Sequence, residues 1–436
     1  MRSALAGCAL LFTCIMANSQ ETPVVQTKQP PSQTVYVRCG TLIADAQKPP
    51  LNNADVIIIA GKITAVGPNL PIPAGAQIVD FSQNTVLPGL IDAHTHLWRG
   101  AFYERPPVGL TALRSQKAIQ YALSRGIVAM RVLGSWDFVD VALQRAVDEG
   151  TIIGPHIIPA GHAISTIGGH GDLIDMPWQF ALRDYYTPLH GFINSPAEAE
   201  EAVHFQLKYG ARVIKVLVSG GVISPLDSPD AEQVSPDELK IIVEQAHMAN
   251  VKVAVHAENI RSVMAAVDAG VDSIEHGSEL NQQAIELMKS HHVYLDPTLF
   301  VIGNLERMAK AGKMPSFVAA KASGLATKHY TSFAMALKAG LPMAAGSDQL
   351  YEPGKATVLD EVIALVDHEM SPQMALTAAT RNNADLLDLP ELGTIAAGKE
   401  GDLVAVQGDP LTDIRALKNV QAVVFEGKLV PTWLGH

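Results

Sequence analysis

Six residues of metal-ligating type stand at or near the ends of apolar, β-branched runs in this 436-residue chain. His94 and His96 close the first run, VLPGLIDAHTH (86–96). Alternate residues of a strand face the same way, so both imidazoles can point at one metal ion. His256 lies in VKVAVHAE (251–258), His276 in DSIEHG (272–277) and Asp348 ends LPMAAGSD (341–348). Lys215 sits inside the otherwise apolar VIKVLV, where a buried ammonium must be paired or neutralised. Singly, a strand histidine is an ordinary core residue and an aspartate after a strand is an ordinary helix cap. Six such residues on one rim form a single site more economically than six accidents. His170, in the glycine-flanked segment 168–171, is the candidate contact for a substrate carbonyl or developing oxyanion. Ser219 and Gly220 are further substrate-binding candidates, because glycine-rich loops can donate backbone N–H groups to an anion. No G-x-S-x-G segment occurs and Cys39 lies far from these runs, so a serine or thiol nucleophile is not supported. His162, His291 and His292 have only their residue type in their favour.

Such a constellation needs strands that all end on one side. From 86 to 387 eight strand-like runs alternate with helical patterns, and Gly126, Gly210, Gly270 and Gly340 each close a helical pattern before a strand. The reading is α/β: a parallel (β/α)8 TIM-like barrel with catalytic residues at its C-terminal rim. An open doubly wound sheet is the alternative, but no G-x-G-x-x-G follows the first run. Short β runs cut by turns fill 35–85 and 388–436, which predicts a small β-sandwich domain built from both chain ends. Residues 165–195 and 300–325 read as loops lining a pocket, through Trp178, Phe180, Tyr185 and Tyr186 in the first and Phe300, Met308, Met314 and Phe317 in the second.

The first 19 residues have the order of a secretory signal: Arg2, an apolar run from Ala4 to Met16, then small residues at Ala17 and Ser19. That run is too short to span a bilayer, so no membrane partner is expected once the signal is removed. Residues 20–34 read as a disordered leader. Loss of the signal takes Cys8 and Cys14 and leaves Cys39 alone, so an exported, periplasmic or secreted protein without an intrachain disulfide is expected. With 32 Lys+Arg against 44 Asp+Glu the net charge is −12, which argues against a nucleic-acid partner. The 48% hydrophobic content is enough for a sizeable core and argues against disorder.

VLPGLIDAHTH (86–96), His256, His276, Asp348 and the closing LGTIAAGKEGDLV (392–404) together resemble the amidohydrolase superfamily over about residues 35 to 430. Within it, Ile214-Lys215-Val216, Ser219-Gly220-Gly221 and Gly168-Gly169-His170-Gly171 look like the branch of Xaa-Pro dipeptidases, carboxypeptidases and ochratoxin-hydrolysing amidases. The resemblance implies two divalent metal ions, normally zinc. His94, His96 and Asp348 would hold one ion, His256 and His276 the other, and Lys215 would bridge them as a carbamate formed with CO2. It further implies hydrolysis of an amide or peptide bond next to a C-terminal carboxylate by a hydroxide held between the ions, with Asp348 as the proton shuttle. The substrate is then a small amide or peptide and the protein a homo-oligomer. A cyclic-amide or lactone hydrolase on the same site, or a non-catalytic scaffold, are the other readings.

Overall fold

The first layer begins with a run of strands from the N-terminal part of the described chain. Strand β1 (Thr34–Leu42) pairs antiparallel with β2 (Leu51–Ile59), which turns back into β3 (Lys62–Pro68). The turn residues Ala60 and Gly61 both take positive φ, 52° and 82°, the geometry a two-residue hairpin requires. β4 (Gln77–Pro88) runs parallel to β1 on its other side. The computed structural model describes residues 33–97, 106–172, 185–352 and 354–435. The expected signal, most of the leader, and Trp178 and Phe180 of the first expected pocket loop lie outside the described residues.

The run expected as a single first strand divides at Gly89 into β4 and β5 (Leu90–His96), which belong to different sheets. A side chain on Gly89 would meet Val128 at 2.4 Å, so glycine is what lets the chain pass from one sheet to the other at this packing distance. Next come α1 (Val108–Ser124), β6 (Ile127–Val132), α2 (Val139–Asp148) and β7 (His156–Pro159). A small parallel pair, β8 (Ser165–Thr166) with β9 (Phe192–Ile193), leads into α3 (Pro196–Tyr209) and β10 (Val213–Leu217). Then follow α4 (Pro236–Met248), β11 (Lys252–Ala257), α5 (Ile260–Ala269), β12 (Ser273–His276), α6 (Gln282–Ser290) and β13 (Tyr294–Asp296). Ser195, Ser235, Asn259 and Asn281 cap α3 to α6 through their side chains, and Gly210 and Gly270 end α3 and α5 in the left-handed region.

Two departures from the expected pattern follow. Residues 300–325 are not a loop. They are mostly helix, α7 (Leu299–Lys310) and the start of α8 (Ser316–Ala339), packed together through Ile302, Val318, Ala322 and Leu325. The eighth expected strand, 341–348, is not regular either: only β14 (Gln349–Leu350) pairs in the ladder, beside a single parallel bridge between Met343 and Leu295. The amide of Asn383 stands in for a neighbouring strand here, accepting from Ala345 N–H and donating to Ala345 O. Helix α9 (Val358–Asp367) follows.

The parallel strands form two four-stranded sheets, β14-β5-β6-β7 and β10-β11-β12-β13, whose buried faces share one large core with the helices. At one seam Arg212 N–H donates to Pro159 O (2.7 Å) and Leu217 N–H to Ile164 O, beyond β7 (2.9 Å); at the other the segment 342–345 lies between the sheets, accepting Leu295 N–H at Pro342 O (3.0 Å) and Ala93 N–H at Ala345 O (3.1 Å). Two short helices, α10 (Pro372–Thr377) and α11 (Asn383–Leu386), precede the return of the chain to the first layer. There β15 (Leu403–Val406), β16 (Val420–Phe425) and β17 (Lys428–Leu429) complete a seven-stranded sheet in the order β17-β16-β15-β4-β1-β2-β3, so both chain ends build it. Among the described residues no helix is long and apolar enough to cross a membrane.

Candidate metal centre

The strand ends bring the six sequence-selected residues together. Asp348 N–H donates to His94 O at 2.7 Å, and the Asp348 carboxylate oxygen Oδ1 faces both β5 imidazoles, 3.1 Å from His96 Nε2 and 3.5 Å from His94 Nε2. Pairing β11 with β12 sets His276 beside Ala257, one residue past His256, and the two rings meet at 4.6 Å. The His94 and His276 rings are 5.4 Å apart, as are those of His94 and His96. The four imidazoles are thus one contiguous group. Ligand atoms of His94, His96 and Asp348 lie within 4.8 Å of one another, as do those of His256, Glu258 and His276. Asp348 and His276 both take positive φ, 48° and 72°, a conformation uncommon for residues other than glycine but adopted by Asp and His more readily than by most.

Electrostatics set buried imidazoles with lowered pKa against carboxylates held ionised. Burial, then the nearby Lys215, holds His94 down at about 4. Burial and the neighbouring cationic groups hold His256 and His276 well below the usual histidine range. Burial pushes Asp348 up, but His94, His96 and Lys215 outweigh it and bring the carboxyl down to about 2. Lys215 is 2% exposed and its Nζ has no hydrogen-bond partner; burial lowers it to about 8. An unpaired amine beside four imidazoles is costly as an ammonium and stable as a neutral nucleophile or as an anion once derivatised.

His170 joins the row. Its ring stacks on His256 at 4.3 Å, and its Nδ1 is 2.8 Å from Ser224 Oγ, whose hydroxyl also donates to Asp227. Lys321 from α8 donates to Asp227 Oδ1 (2.9 Å) and to the carbonyls of Gly221 and Ser224. Gly221 must be glycine, because a Cβ there would fall 2.2 Å from the His170 ring. Burial holds His170 at about 4. Ser219 and Gly220 support the site from behind: Ser219 Oγ accepts from Glu258 N–H (2.9 Å), Gly220 N–H donates to Ala231 O, and Gly220 O sits 3.2 Å from His256 Nε2.

A layer that sequence reasoning missed lies beneath. Glu275 Oε2 is 2.9 Å from His94 Nδ1, while its Oε1 accepts from Arg131 (2.9 Å) and Ser273 (2.6 Å). Burial pushes Glu275 up, but Arg131, His94 and Lys215 outweigh it and hold the carboxyl well below the usual range. Thr298 Oγ1 meets His276 Nδ1 at 2.7 Å. Arg131 could have been found by the argument that singled out Lys215, since it is a charged residue inside the apolar run IVAMRV, whereas Glu275, in SIEH, carries no such signal.

Comparison with known proteins bears on this geometry. The Amidohydrolase family model matches residues 85–430. Ochratoxinase from Aspergillus niger is 31% identical over 456 aligned positions, covering 96% of this chain and 92% of the relative. A Xaa-Pro dipeptidase solved with methionine in its active site superposes with a TM-score of 0.85 at 30% identity, covering 91% of this chain and 99% of the other. A prolidase complexed with N-methylphosphonate-L-proline gives 0.80 at 30% identity, with the same coverage.

Proposed function

The chain belongs to the amidohydrolase family and is a hydrolytic enzyme, and from that premise we propose that it cuts an amide or peptide bond next to a C-terminal carboxylate in a metal-dependent reaction. Carboxypeptidase, dipeptidase and N-acyl amino acid amidase of the ochratoxin-hydrolysing kind are the activities this covers. One observation carries the metal dependence: the buried, partnerless Lys215 amine among four imidazoles and Asp348. This donor set fits two divalent cations of the zinc type, with His94, His96 and Asp348 holding one and His256 and His276 the other. Lys215, as a carbamate, would add an anionic ligand to this set, whereas a protonated amine would repel the cations. Bound there, the cations supply Lewis acidity and bring the pKa of water toward ~7.

The protein's own groups do the rest. Asp348, held ionised, takes the proton of the attacking water and passes it to the departing amine. Ser224, whose hydrogen is committed to Asp227, accepts from His170 Nδ1–H, which leaves Nε2 as the nitrogen free for substrate. Donation from that nitrogen to a carbonyl oxygen requires a protonated ring, which burial opposes in the resting site, so the contact would form only as negative charge develops on the substrate oxygen. Asp227, 3.8 Å from Nδ1, is the counter-charge that favours the protonated ring. The same reading takes 86–387 as a closed (β/α)8 barrel, which the hydrogen bonds at both seams support, and 35–85 with 388–436 as the β-sandwich domain. It also takes 1–19 as an export signal and the protein as a homo-oligomer.

The carboxylate preference draws on the relatives: methionine and a derivative of L-proline occupy two of them. A carboxylate contact remote from the reacting carbonyl orients the scissile bond. The test compares free-acid substrates with their methyl esters or amides under zinc-replete conditions. Capping is expected to lower kcat/KM at least ~10-fold, about 1.4 kcal/mol, the scale of one charge-assisted hydrogen bond. Equal rates would reject the carboxylate reading in favour of a cyclic-amide or lactone hydrolase.

A further inference from the structure

Thr298 begins α7, at the position where a threonine normally accepts from the helix's own N–H groups. It does not cap. Its φ is +47°, far from the extended backbone of an ordinary capping residue, and its hydroxyl turns instead to His276 Nδ1 at 2.7 Å. The capping task has passed to a carboxylate from another element: Glu361 of α9 accepts from Leu299 N–H (2.9 Å) and Phe300 N–H (2.7 Å) with its two oxygens. On the other side, His329 of α8 donates from Nε2 to Pro297 O at 2.6 Å, while its Nδ1 rests 2.6 Å from Ser278 Oγ. Both peptide groups that flank Thr298 are therefore gripped by buried side chains, and Thr298, Glu361, His329 and His276 are all buried.

We infer that Thr298 is a positioning residue for His276, locked in its left-handed conformation by His329 and Glu361 so that it accepts the His276 Nδ1–H and turns the Nε2 lone pair toward the site. This rests on the reading of His276 as a metal ligand. A histidine that ligates through one nitrogen needs its other N–H held, and losing such a partner typically weakens metal affinity 10–100-fold.

The experiment uses the full chain stripped of metal and titrated with Co2+, read by visible absorption, by equilibrium dialysis and by circular dichroism of the metal-free protein. Wild type and Thr298→Ser are expected to take up about two ions with matching affinity and spectrum. Thr298→Val is expected to keep the metal-free fold, bind one of the two ions 10–100-fold more weakly, and show an altered Co2+ band. Thr298→Gly relieves the backbone while removing the hydroxyl, so it keeps the test open if the valine variant does not fold; it too is expected to lose affinity. Wild-type affinity and spectrum in either Thr298→Val or Thr298→Gly overturn the proposal while leaving the metal centre standing. A wild type that takes up no ion overturns both.

Discussion

Replacing Arg131 with methionine isolates the charge that underlies the site. Arg131 is 1% exposed; it donates to Glu275 Oε1 at 2.9 Å, to Ser273 Oγ at 3.0 Å and to Ala93 O. Methionine refills most of the stem's volume, so the principal loss is the guanidinium. Glu275 would remain as a fully buried carboxylate with Ser273 as its hydrogen-bond donor and only His94 and the nearby Lys215 beside it. Removing one partner of a buried pair costs about 3–5 kcal/mol, a large share of the ~5–15 kcal/mol that holds a protein folded. The pH dependence has a definite sign. In the wild type the depressed Glu275 pKa contributes stability above the ordinary carboxylate range that is lost as pH falls through its folded value. In Arg131→Met the largest charge opposing burial is gone and that pKa rises relative to wild type, so the deficit against wild type is largest near neutrality and shrinks as pH falls. The assay is urea unfolding of the metal-free protein at pH 7 and pH 5, with Arg131→Met/Glu275→Gln alongside. The double variant is expected to recover at least ~1–2 kcal/mol, since no charge is left unpaired. A single variant within ~1 kcal/mol of wild type, or a double variant no better than the single, would refute the reasoning.

Asp348→Asn is expected to keep the fold and lose roughly 10²–10⁴-fold in kcat, because an amide cannot take the proton; near-normal turnover would move the base elsewhere. Lys215→Ala is expected to be inactive and partly rescued by a short carboxylic acid, since the site needs the bridging anion rather than the lysine stem; a metal-loaded active enzyme with an unmodified Lys215 ammonium contradicts this. His329, held by burial at about 4 against its ordinary 6.5, contributes stability that is present above 6.5 and lost as pH falls from 6.5 to about 4. At ~1.4 kcal/mol for each tenfold in proton affinity this is about 3 kcal/mol, so His329→Gln should flatten the acid limb of a stability–pH curve, and an unchanged limb would assign the acid lability to other groups.

The site's inner ring was legible because each member carries its own anomaly: two imidazoles two residues apart in a strand, a lysine inside VIKVLV, an aspartate ending LPMAAGSD. The supporting layer was harder to read. Thr298 looks like an ordinary helix cap, and its task depends on Glu361 and His329, residues 63 and 31 positions further on. The segment 300–325 was misread as a loop because its apolar residues Phe300, Met308, Met314 and Phe317 suggested a pocket lining, whereas α7 and α8 bury Ile302, Val318 and Leu325 against each other. The strand expected over 341–348 failed for a different reason, since Asn383, an amide distant in sequence, takes over its ladder bonds.

Metal-dependent amide hydrolysis is tested most directly by stripping the protein of metal and following hydrolysis of an N-acyl amino acid as Zn2+ is returned. The expected result is negligible activity in the metal-free protein and a rise that saturates at about two ions per chain, with proportionate loss when His94, His96, His256 or His276 is replaced. Full activity in metal-free protein would contradict the account.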